Sequence, residues 1–434
     1  MCIRDRTMRG AVVQALARRG AAAPTMQSIA TAFSTSDQSP ALLIRLTTIC
    51  GRVRGEIAAA MLIQQLAYPH DGVRHAVVLA LRRCGYQATG PQAQQVRTQI
   101  RREAGHTAWM LAAAVAIGNN PHVALLRDAL TVQVARIEQR IFALLELIYE
   151  PRAIRRIHYH LHSPLVTKRD YAYELFELHV EGDIRKLLMP LISDAAYTTR
   201  EYQLRELFNT PIQDQSQWLL ALLREPGERS TSWIRASALV AAQNIGRTDL
   251  VRTMTDQATR DPLVGETASW ILQQTRDQRQ PNRQLVTIEK VLILKTVSIF
   301  AATPDDILAE IAGLTTQIDL PAETPIFVKD DHGDTMYIII DGQVRIHDGE
   351  QIIGNLSNNE VFGEMALLDS TPRVASATTD THVRLLRLDQ EPFYELMDDQ
   401  IEIARGIIRV LNQRLRSSIA HLHEARNAGI LPNS

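Results

Sequence analysis

The segment at residues 361–379, VFGEMALLDSTPRVASATT, constrains the fold more than any other part of the chain, because it places the components of an anion-binding site in order. Gly363 allows the backbone to approach a ligand closely. Residues 364–368 can form one short helical turn, whose free N–H groups and dipole favour a negative group at its start. The segment therefore predicts a loop and a short helix that bind an anion.

Two charged side chains flank this predicted turn. Pro372 prevents a helix from continuing, and Arg373 follows it with a guanidinium that can donate two parallel hydrogen bonds to phosphate oxygens. Glu364 lies nine residues before Arg373 and offers an acceptor to a hydroxyl. We expect both side chains to be buried, and a ligand with an anion and a hydroxyl, such as a cyclic nucleotide, suits the pair. The alternative is a surface turn with an unrelated arginine.

The run FGEMAL followed by PRVA resembles the phosphate-binding cassette of cyclic-nucleotide-binding domains, and the resemblance extends over about residues 294–424. In that family the glutamate binds the ribose 2′-hydroxyl, the arginine pairs with the cyclic phosphate, and amides of the short helix complete the phosphate contacts. The resemblance implies these roles for Glu364, Arg373 and the amides around Gly363, Met365 and Ala366. The full set of ligand-binding residues that it implies is Phe362, Gly363, Glu364, Met365, Ala366, Arg373, Val374 and Ala375.

The residue after Arg373 is relevant to which nucleotide base the site would prefer. In relatives selective for cyclic GMP a hydroxyl residue commonly takes this place, whereas Val374 can offer only an apolar contact. The resemblance therefore implies a preference for cAMP over cGMP, and Ser376 and Thr378 are the nearby hydroxyls that could reverse it.

The flanking sequence predicts a small antiparallel β-roll. Short apolar runs follow residue 324, and the dipeptides Asp341-Gly342 and Asp348-Gly349 favour tight hairpins. A further strand is predicted at residues 382–388, and a helical period runs from Phe393 towards Arg426. In the family that we compare it with, this C-terminal helical pair closes over the base.

The first 283 residues predict a HEAT-like α-solenoid with about seven repeats of about 40 residues. Helical segments recur around turns that contain a proline and then an arginine, as in residues 66–74 and 162–169. A helix pair cannot bury its apolar face alone, so neighbouring pairs must stack. An ordinary all-α bundle is the alternative, but it would not need the recurring turn.

Polar residues at 273–283, including Pro281, predict the linker to a second domain at 284–434. The charge changes sign near this point, since residues 291–434 carry a net −11 and residues 1–290 a net +10. The basic part could face an acidic partner or a membrane surface. Solvated helix faces spread around a solenoid are the simpler explanation.

Three scattered cysteines, at positions 2, 50 and 84, suggest reduced thiols. No run approaches the roughly 18 apolar residues of a membrane span. Residues 140–149, 168–178 and 288–295 resemble the HEAT and cyclic-nucleotide module found behind bacterial major-facilitator or nucleotide-translocase-like transporters. Because Met1–Arg6 also look like translated sequencing adaptor, we expect a fragment of such a protein or a free-standing one. The expected location is the cytoplasm or the inner face of the membrane.

Other chemistry is weakly indicated. His158 and His162 would share a helix face, but no acid or cysteine accompanies them at ligand spacing, so no metal site is predicted. The chain has no phosphate-binding loop with Lys and Ser/Thr, no kinase signature and no nucleophile elbow. No helix-turn-helix follows the segment that resembles a cyclic-nucleotide-binding domain, which argues against direct DNA binding.

The sequence thus predicts a multidomain α and α+β protein, with an α-solenoid followed by an antiparallel β-roll with flanking helices. The predicted function is that of a non-enzymatic sensor without a cofactor, which binds cAMP, or less readily cGMP, and acts on a protein partner through the solenoid. The alternative is a ligand-free interaction module belonging to a transporter-like membrane protein.

Overall fold

The computed structural model describes residues 29–31, 33–34, 39–224, 229–254, 261–274, 284–369, 371–400, 403–412 and 416. The chain divides into two compact units, Met1–Val251 and Arg252–Ser434. Residues 275–283, which form most of the predicted linker, lie outside the described residues, as do Met1–Arg6 and the tail after residue 416. The predicted domain bounds, 1–283 and 284–434, therefore stay predictions.

The described part of the first unit is helical, as the sequence predicted. The helices are α1 (Pro40–Val53), α2 (Glu56–Ile63), α3 (Asp71–Arg83), α4 (Gly90–Ile117), α5 (Ala124–Leu145), α6 (Pro151–Leu161), α7 (Val166–His179), α8 (Gly182–Ile192), α9 (Tyr197–Phe208), α10 (Gln215–Arg224), α11 (Ser232–Asn244) and α12 (Thr248–Arg252), with a short 3₁₀ turn at Pro121–Val123.

Sequence signals at the helix starts explain several of these bounds. Helix α6 begins with Pro151 at its first position, and the carboxylate of Glu150 accepts hydrogen bonds from the next two free amides. Helix α11 begins after Thr231, whose hydroxyl accepts from the Ile234 amide at 3.3 Å. These caps satisfy N–H groups that the helix itself leaves without partners.

Neighbouring helices pack in pairs. Helix α1 lies against α3, α4 against α5 and α6 against α7. The indole rings of Trp109 in α4 and Trp218 in α10 meet edge to face, with centroids 5.2 Å apart, and both side chains are buried. Aromatic pairs of this geometry stabilise a core beyond the area that they bury.

The recurring proline-to-arginine turn has a common physical cause at two places. Arg74 donates hydrogen bonds to the carbonyls of Tyr68 and Pro69, both at 3.0 Å. Arg169 donates to the carbonyls of Ser163 and Pro164, at 2.9 and 3.2 Å. Each arginine therefore binds the carbonyls five and six residues before it, which closes the turn that leads into its own helix.

The second unit combines helices with two antiparallel sheets. Its helices are α13 (Pro262–Gln274), α14 (Thr287–Thr296), α15 (Asp305–Leu314), α16 (Glu364–Leu368) and α17 (Gln390–Asp399), with a 3₁₀ turn at Ser298–Phe300, and residues 403–412 are also helical. The strands are β1 (Thr316–Leu320), β2 (Pro325–Phe327), β3 (Thr335–Asp341), β4 (Val344–Asp348), β5 (Gln351–Leu356), β6 (Val361–Phe362), β7 (Ser376–Thr379) and β8 (Val383–Asp389). None of the helices in the described ranges combines the length and the apolar character that crossing a bilayer requires.

The eight strands confirm the predicted antiparallel sheets with flanking helices. One sheet has the order β1-β8-β3-β6 and the other β2-β7-β4-β5. Residues of alternate positions on the strands, such as Tyr337 and Ile339 of β3, share one buried cluster with Val344 of β4 and Ala377 of β7. Helix α16 lies against β3, so the predicted anion-binding segment is held on the central part of the first sheet.

One of the two predicted hairpins is wrong. Strands β4 and β5 form a hairpin at Asp348-Gly349, with Asp348 opposite Gln351. At Asp341-Gly342, however, the chain crosses from one sheet to the other, because β3 pairs with β6 and β8 rather than with β4. Gly342 has φ +101°, and a Cβ there would lie 2.5 Å from the carbonyl oxygen of His382. The crossover between the sheets, rather than a hairpin, therefore requires glycine at this position.

Candidate functional site

The backbone of Arg373 is held by the loop between β2 and β3. Its N–H donates to the carbonyl of Asp331 at 2.9 Å, and its own carbonyl accepts from the N–H of Asp330 at 2.8 Å. His332 and Pro372 form an antiparallel bridge beside them. Residues far apart in the sequence thereby set the direction from which the arginine side chain enters the unit.

The guanidinium of Arg373 lies in a buried polar position, and the residue is only 7% exposed. Its Nη2 donates to the carbonyl of Thr335 at 2.7 Å, and its Nη1 makes a longer contact of 3.4 Å with the carbonyl of Gly363. Its Cζ lies 4.1 Å from the ring centroid of Phe327. Two carbonyls and one aromatic face thus hold the guanidinium in place.

Two glycines make room for this side chain. A Cβ on Gly363, which has φ +73°, would lie 2.5 Å from Nη1 of Arg373. A Cβ on Gly333 would lie 2.8 Å from the Cβ of Ala366 and 3.1 Å from Nε of Arg373. All three distances are shorter than van der Waals contact, so each position requires glycine if Arg373 and Ala366 are to keep their places.

The charge on Arg373 lacks a protein counterion in the part of the chain that the structure describes. Burial lowers the pKa of Arg373, against the opposing influence of Tyr337, Asp334 and Asp331. No described carboxylate forms an ion pair with it, and its buried Nε has no hydrogen-bond partner among the described residues. Because a buried charge is costly without a partner, an anion placed at this position would be strongly favoured.

Helix α16 begins beside this guanidinium. Gly363 takes the left-handed conformation at the N-cap, and the Ala366 N–H donates back to the Gly363 carbonyl at 3.2 Å. The other end of the helix is bound by α17, where Gln390 donates to the carbonyl of Ala366 at 2.8 Å and Tyr394 donates to that of Leu368 at 2.6 Å. A displacement of α16 must therefore either move α17 with it or break these contacts.

The predicted site residues fall into buried and exposed groups. Phe362 is buried and stacks on Tyr337 with ring centroids 5.2 Å apart. Ala366 and Ala375 are also buried, whereas Met365 is 63% and Val374 74% exposed.

Glu364 differs from the expectation, since it is partly exposed rather than buried. It is the first residue of α16. Among the described contacts of Arg373, the hydrogen-bond acceptors are backbone carbonyls and not Glu364. The acid and the arginine thus remain separate groups.

Sequence reasoning missed several contributors. Thr335 acts through its carbonyl oxygen, for which no side-chain signal exists, and Phe327 could be read only as a strand residue. Gln390 and Tyr394 belong to the predicted C-terminal helices, but their contacts with α16 depend on packing. The role of Gly333 beside Arg373 emerges only from the fold.

Part of the second unit is similar to known proteins. Residues 317–400 match the family model of the cyclic nucleotide-binding domain. A CRP-like cAMP-activated global transcriptional regulator of Mycobacterium tuberculosis is 33% identical over 129 residues, which cover 29% of this chain and 58% of that protein. The cyclic AMP receptor protein of Thermus thermophilus is 35% identical over 117 residues, covering 25% and 54%. A cAMP-dependent protein kinase regulatory subunit of Aspergillus niger is 31% identical over 99 residues, covering 22% and 24%.

The matched segments lie within a limited part of each protein. The chain spans about half the length of the two bacterial relatives and a quarter of the fungal one. Two of these relatives are named as a regulator and a regulatory subunit, and the third as a cyclic AMP receptor protein. The C-terminal part of this chain therefore contains a cyclic nucleotide-binding regulatory domain, homologous to those of cAMP receptor proteins and of protein kinase regulatory subunits.

Proposed function

We propose that this protein is a non-enzymatic cyclic-nucleotide sensor, which binds its ligand at residues 362–366 and 373–375. The observation that carries the proposal is the buried guanidinium of Arg373, which has no carboxylate partner and retains an unpaired Nε among the described residues. A cyclic phosphate would supply the missing negative charge. Charge-assisted hydrogen bonds to the guanidinium would then offset the cost of burying both groups.

Glu364 and α16 complete the proposed contacts. The carboxylate of Glu364, which makes no ion pair with Arg373, would accept a hydrogen bond from the ribose 2′-hydroxyl. Amides at the start of α16 would bind phosphate oxygens, as the free N–H groups of a helix start can. The Ala366 amide already donates to the Gly363 carbonyl, so the phosphate would have to share or replace that bond.

We further propose that cAMP binds more tightly than cGMP. The two hydroxyls that could recognise guanine are engaged elsewhere in the protein. Ser376 accepts from the Lys329 amide at 3.0 Å, and Thr378 bonds to the ring of His347 at 2.9 Å. With the apolar Val374 beside them, the amino group of guanine would lack a partner, which costs about 1–3 kcal/mol.

Ligand binding would be transmitted as a shift between two conformational populations. Phosphate contacts would move α16, and the hydrogen bonds of Gln390 and Tyr394 would pass that movement to α17. The first unit would act as a HEAT-like solenoid that binds a protein partner. Its repeated arginine-closed turns at Arg74 and Arg169 support a repeat architecture.

Calorimetric titration of the full chain with cAMP and cGMP tests the proposed ligand. We expect saturable binding of one cAMP per chain, with cGMP about tenfold weaker or more, in line with one unpaired polar group. Tighter binding of cGMP would refute the preference. Absence of binding for both nucleotides at millimolar concentration would refute the sensor.

The second candidate is a ligand-free interaction module, the non-membrane part of a transporter-like protein at the inner face of a membrane. It is favoured by the two hydrogen bonds that already fix Arg373 to the carbonyls of Thr335 and Gly363, because such contacts can serve a purely structural role. The titration separates the two candidates, since only the sensor binds a nucleotide.

A further inference from the structure

Three potential metal ligands meet between α5 and α6 in the first unit. His158 lies in α6 and His162 at its C-cap, so the two are four residues apart, and their rings are 5.0 Å apart. Glu138 of α5 joins them, with its Oε1 3.5 Å from Nε2 of His162. No acid accompanies these histidines at ligand spacing in the sequence, but α5 brings Glu138 to them from another helix.

We propose that Glu138, His158 and His162 bind a divalent transition-metal ion such as Zn²⁺. One ligand atom from each residue lies within 4.8 Å of the other two. Bonds of about 2.0–2.1 Å to a tetrahedral zinc place neighbouring ligand atoms about 3.4 Å apart. The pair formed by Glu138 and His162 already has this spacing, and small side-chain rotations would bring in His158.

The orientation and hydrogen bonding of the His158 ring suit metal binding. It stacks on Phe142 with centroids 4.4 Å apart and an angle of 20° between the planes, which fixes its orientation. Its Nε2 is buried and has no hydrogen-bond partner in the described part of the chain. An unpaired buried nitrogen is unfavourable, and a metal ion would satisfy it.

The ligand set selects among metals. Two imidazoles and one carboxylate suit Zn²⁺, Co²⁺ or Ni²⁺, whereas Mg²⁺ and Ca²⁺ prefer oxygen ligands alone. Three protein ligands leave a fourth position for water. Because the ligands come from two helices, the bound ion would also link α5 to α6.

Two arginines near the cluster oppose a cation. Arg200 acts electrostatically on Glu138, and Arg82 acts on His158. Arg200 is nevertheless engaged, since it donates to the carbonyl of Pro190 at 3.1 Å.

His160 provides a matched control on the same helix. It lies two residues from each histidine of the cluster, and its ring contacts Tyr171 at 5.8 Å instead. It is not among the three clustered ligands. Substitution of His160 therefore changes the histidine content of α6 without touching the proposed site.

The test is titration of the untagged full chain with Zn²⁺ by calorimetry and with Co²⁺ by visible absorption, together with thermal unfolding. We expect one ion per chain, a Co²⁺ spectrum typical of nitrogen and oxygen ligands, and a Tm that rises with Zn²⁺ because the ion binds the folded state. Each of His158→Ala, His162→Ala and Glu138→Gln should weaken binding at least tenfold. His160→Ala should bind as the unchanged protein does.

The chain has 13 histidines, so binding alone is insufficient and the variants decide. No saturable binding, or binding that the three substitutions leave unchanged, overturns the proposal. His162 is 60% exposed at its side chain, so its substitution should leave the fold intact, which circular dichroism checks. Loss of affinity in this folded variant, with retention in His160→Ala, supports the site even if His158→Ala fails to fold.

Discussion

Replacing Arg373 with methionine should separate ligand binding from stability. Methionine keeps most of the volume of the side chain and removes its charge. The structure predicts a large loss of cyclic-nucleotide affinity and only a small change in the free energy of unfolding of the ligand-free protein. The two effects differ because the arginine is a buried charge without a described carboxylate partner.

The effect on stability is the balance of opposing contributions. Loss of the hydrogen bonds to the carbonyls of Thr335 and Gly363 costs about 0.5–1.5 kcal/mol each. Loss of the contact with Phe327 costs about 0.5–2 kcal/mol more. Removing a buried unpaired charge returns several kcal/mol, so we expect a net change below about 2 kcal/mol in either direction.

The effect on binding has no such compensation. Without the guanidinium, a bound phosphate would lose its charged partner within a unit whose net charge is negative. A loss of about 2–5 kcal/mol is typical when one partner of such a pair is removed, which corresponds to about thirtyfold to several thousandfold in Kd.

Calorimetric titration with cAMP measures the affinity, and hydrogen exchange at the amides of β3 measures the local free energy of opening. Arg384→Met serves as the control, since Arg384 is an arginine of the same unit that pairs with Asp319 at 3.1 Å. We expect this control to bind cAMP as the unchanged protein does. Unchanged affinity for cAMP in Arg373→Met would show that the arginine does not bind the ligand. Destabilisation by more than about 3 kcal/mol would show that the main role of the arginine is to stabilise the fold.

Three further predictions concern the acid at the site, the contact with α17 and a buried ionic cluster. Glu364→Gln should reduce the affinity for cAMP about tenfold or more beyond any reduction for 2′-deoxy-cAMP, because only cAMP offers a 2′-hydroxyl to the carboxylate. Equal losses of affinity for the two nucleotides in parallel titrations would refute the proposed contact of Glu364 with the 2′-hydroxyl. Tyr394→Phe removes the hydrogen bond to Leu368, which should cost about 1 kcal/mol and reduce the ligand-induced change in hydrogen exchange of α17; an undiminished change would contradict the proposed coupling. Glu103→Gln leaves Arg140 short of a buried counterion and should destabilise the protein by about 3–5 kcal/mol in urea at pH 7. Although burial alone would raise it, Arg140 holds the pKa of Glu103 below its ordinary 4.5, so this stability is present above that pH and lost as the pH falls below it. The destabilisation should therefore shrink at pH 3, and a difference independent of pH would refute the ionic explanation.

The buried ionic cluster illustrates a limit of sequence reasoning. Arg140 lies 2.7 Å from both Asp71 and Glu103, and the three residues come from α5, α3 and α4. Each charge alone suggests a solvated helix face. Only the packing of three helices brings the opposite charges together, so the balance that permits their burial cannot be read from any one segment.

The amino-acid order within short segments was sufficient to predict several structural features. The helices of the first unit follow from apolar periodicity and start signals such as Glu150-Pro151, and the strands of the second unit follow from short apolar runs between turn residues. The short helix at Glu364–Leu368 was predicted from five consecutive residues. These features depend on interactions within a few residues, which leave a direct pattern in the amino-acid order.

Contacts between distant segments decided the rest. The crossover at Gly342, the partial exposure of Glu364 and the carbonyl of Thr335 that binds Arg373 all arise from how strands and helices pack. Glu138 meets His158 and His162 in the same way, across two helices. Backbone carbonyls carry no residue-specific signal, and side chains from separate helices meet at no fixed spacing in the sequence. Such contacts therefore cannot be predicted from sequence patterns and become visible only in the tertiary structure.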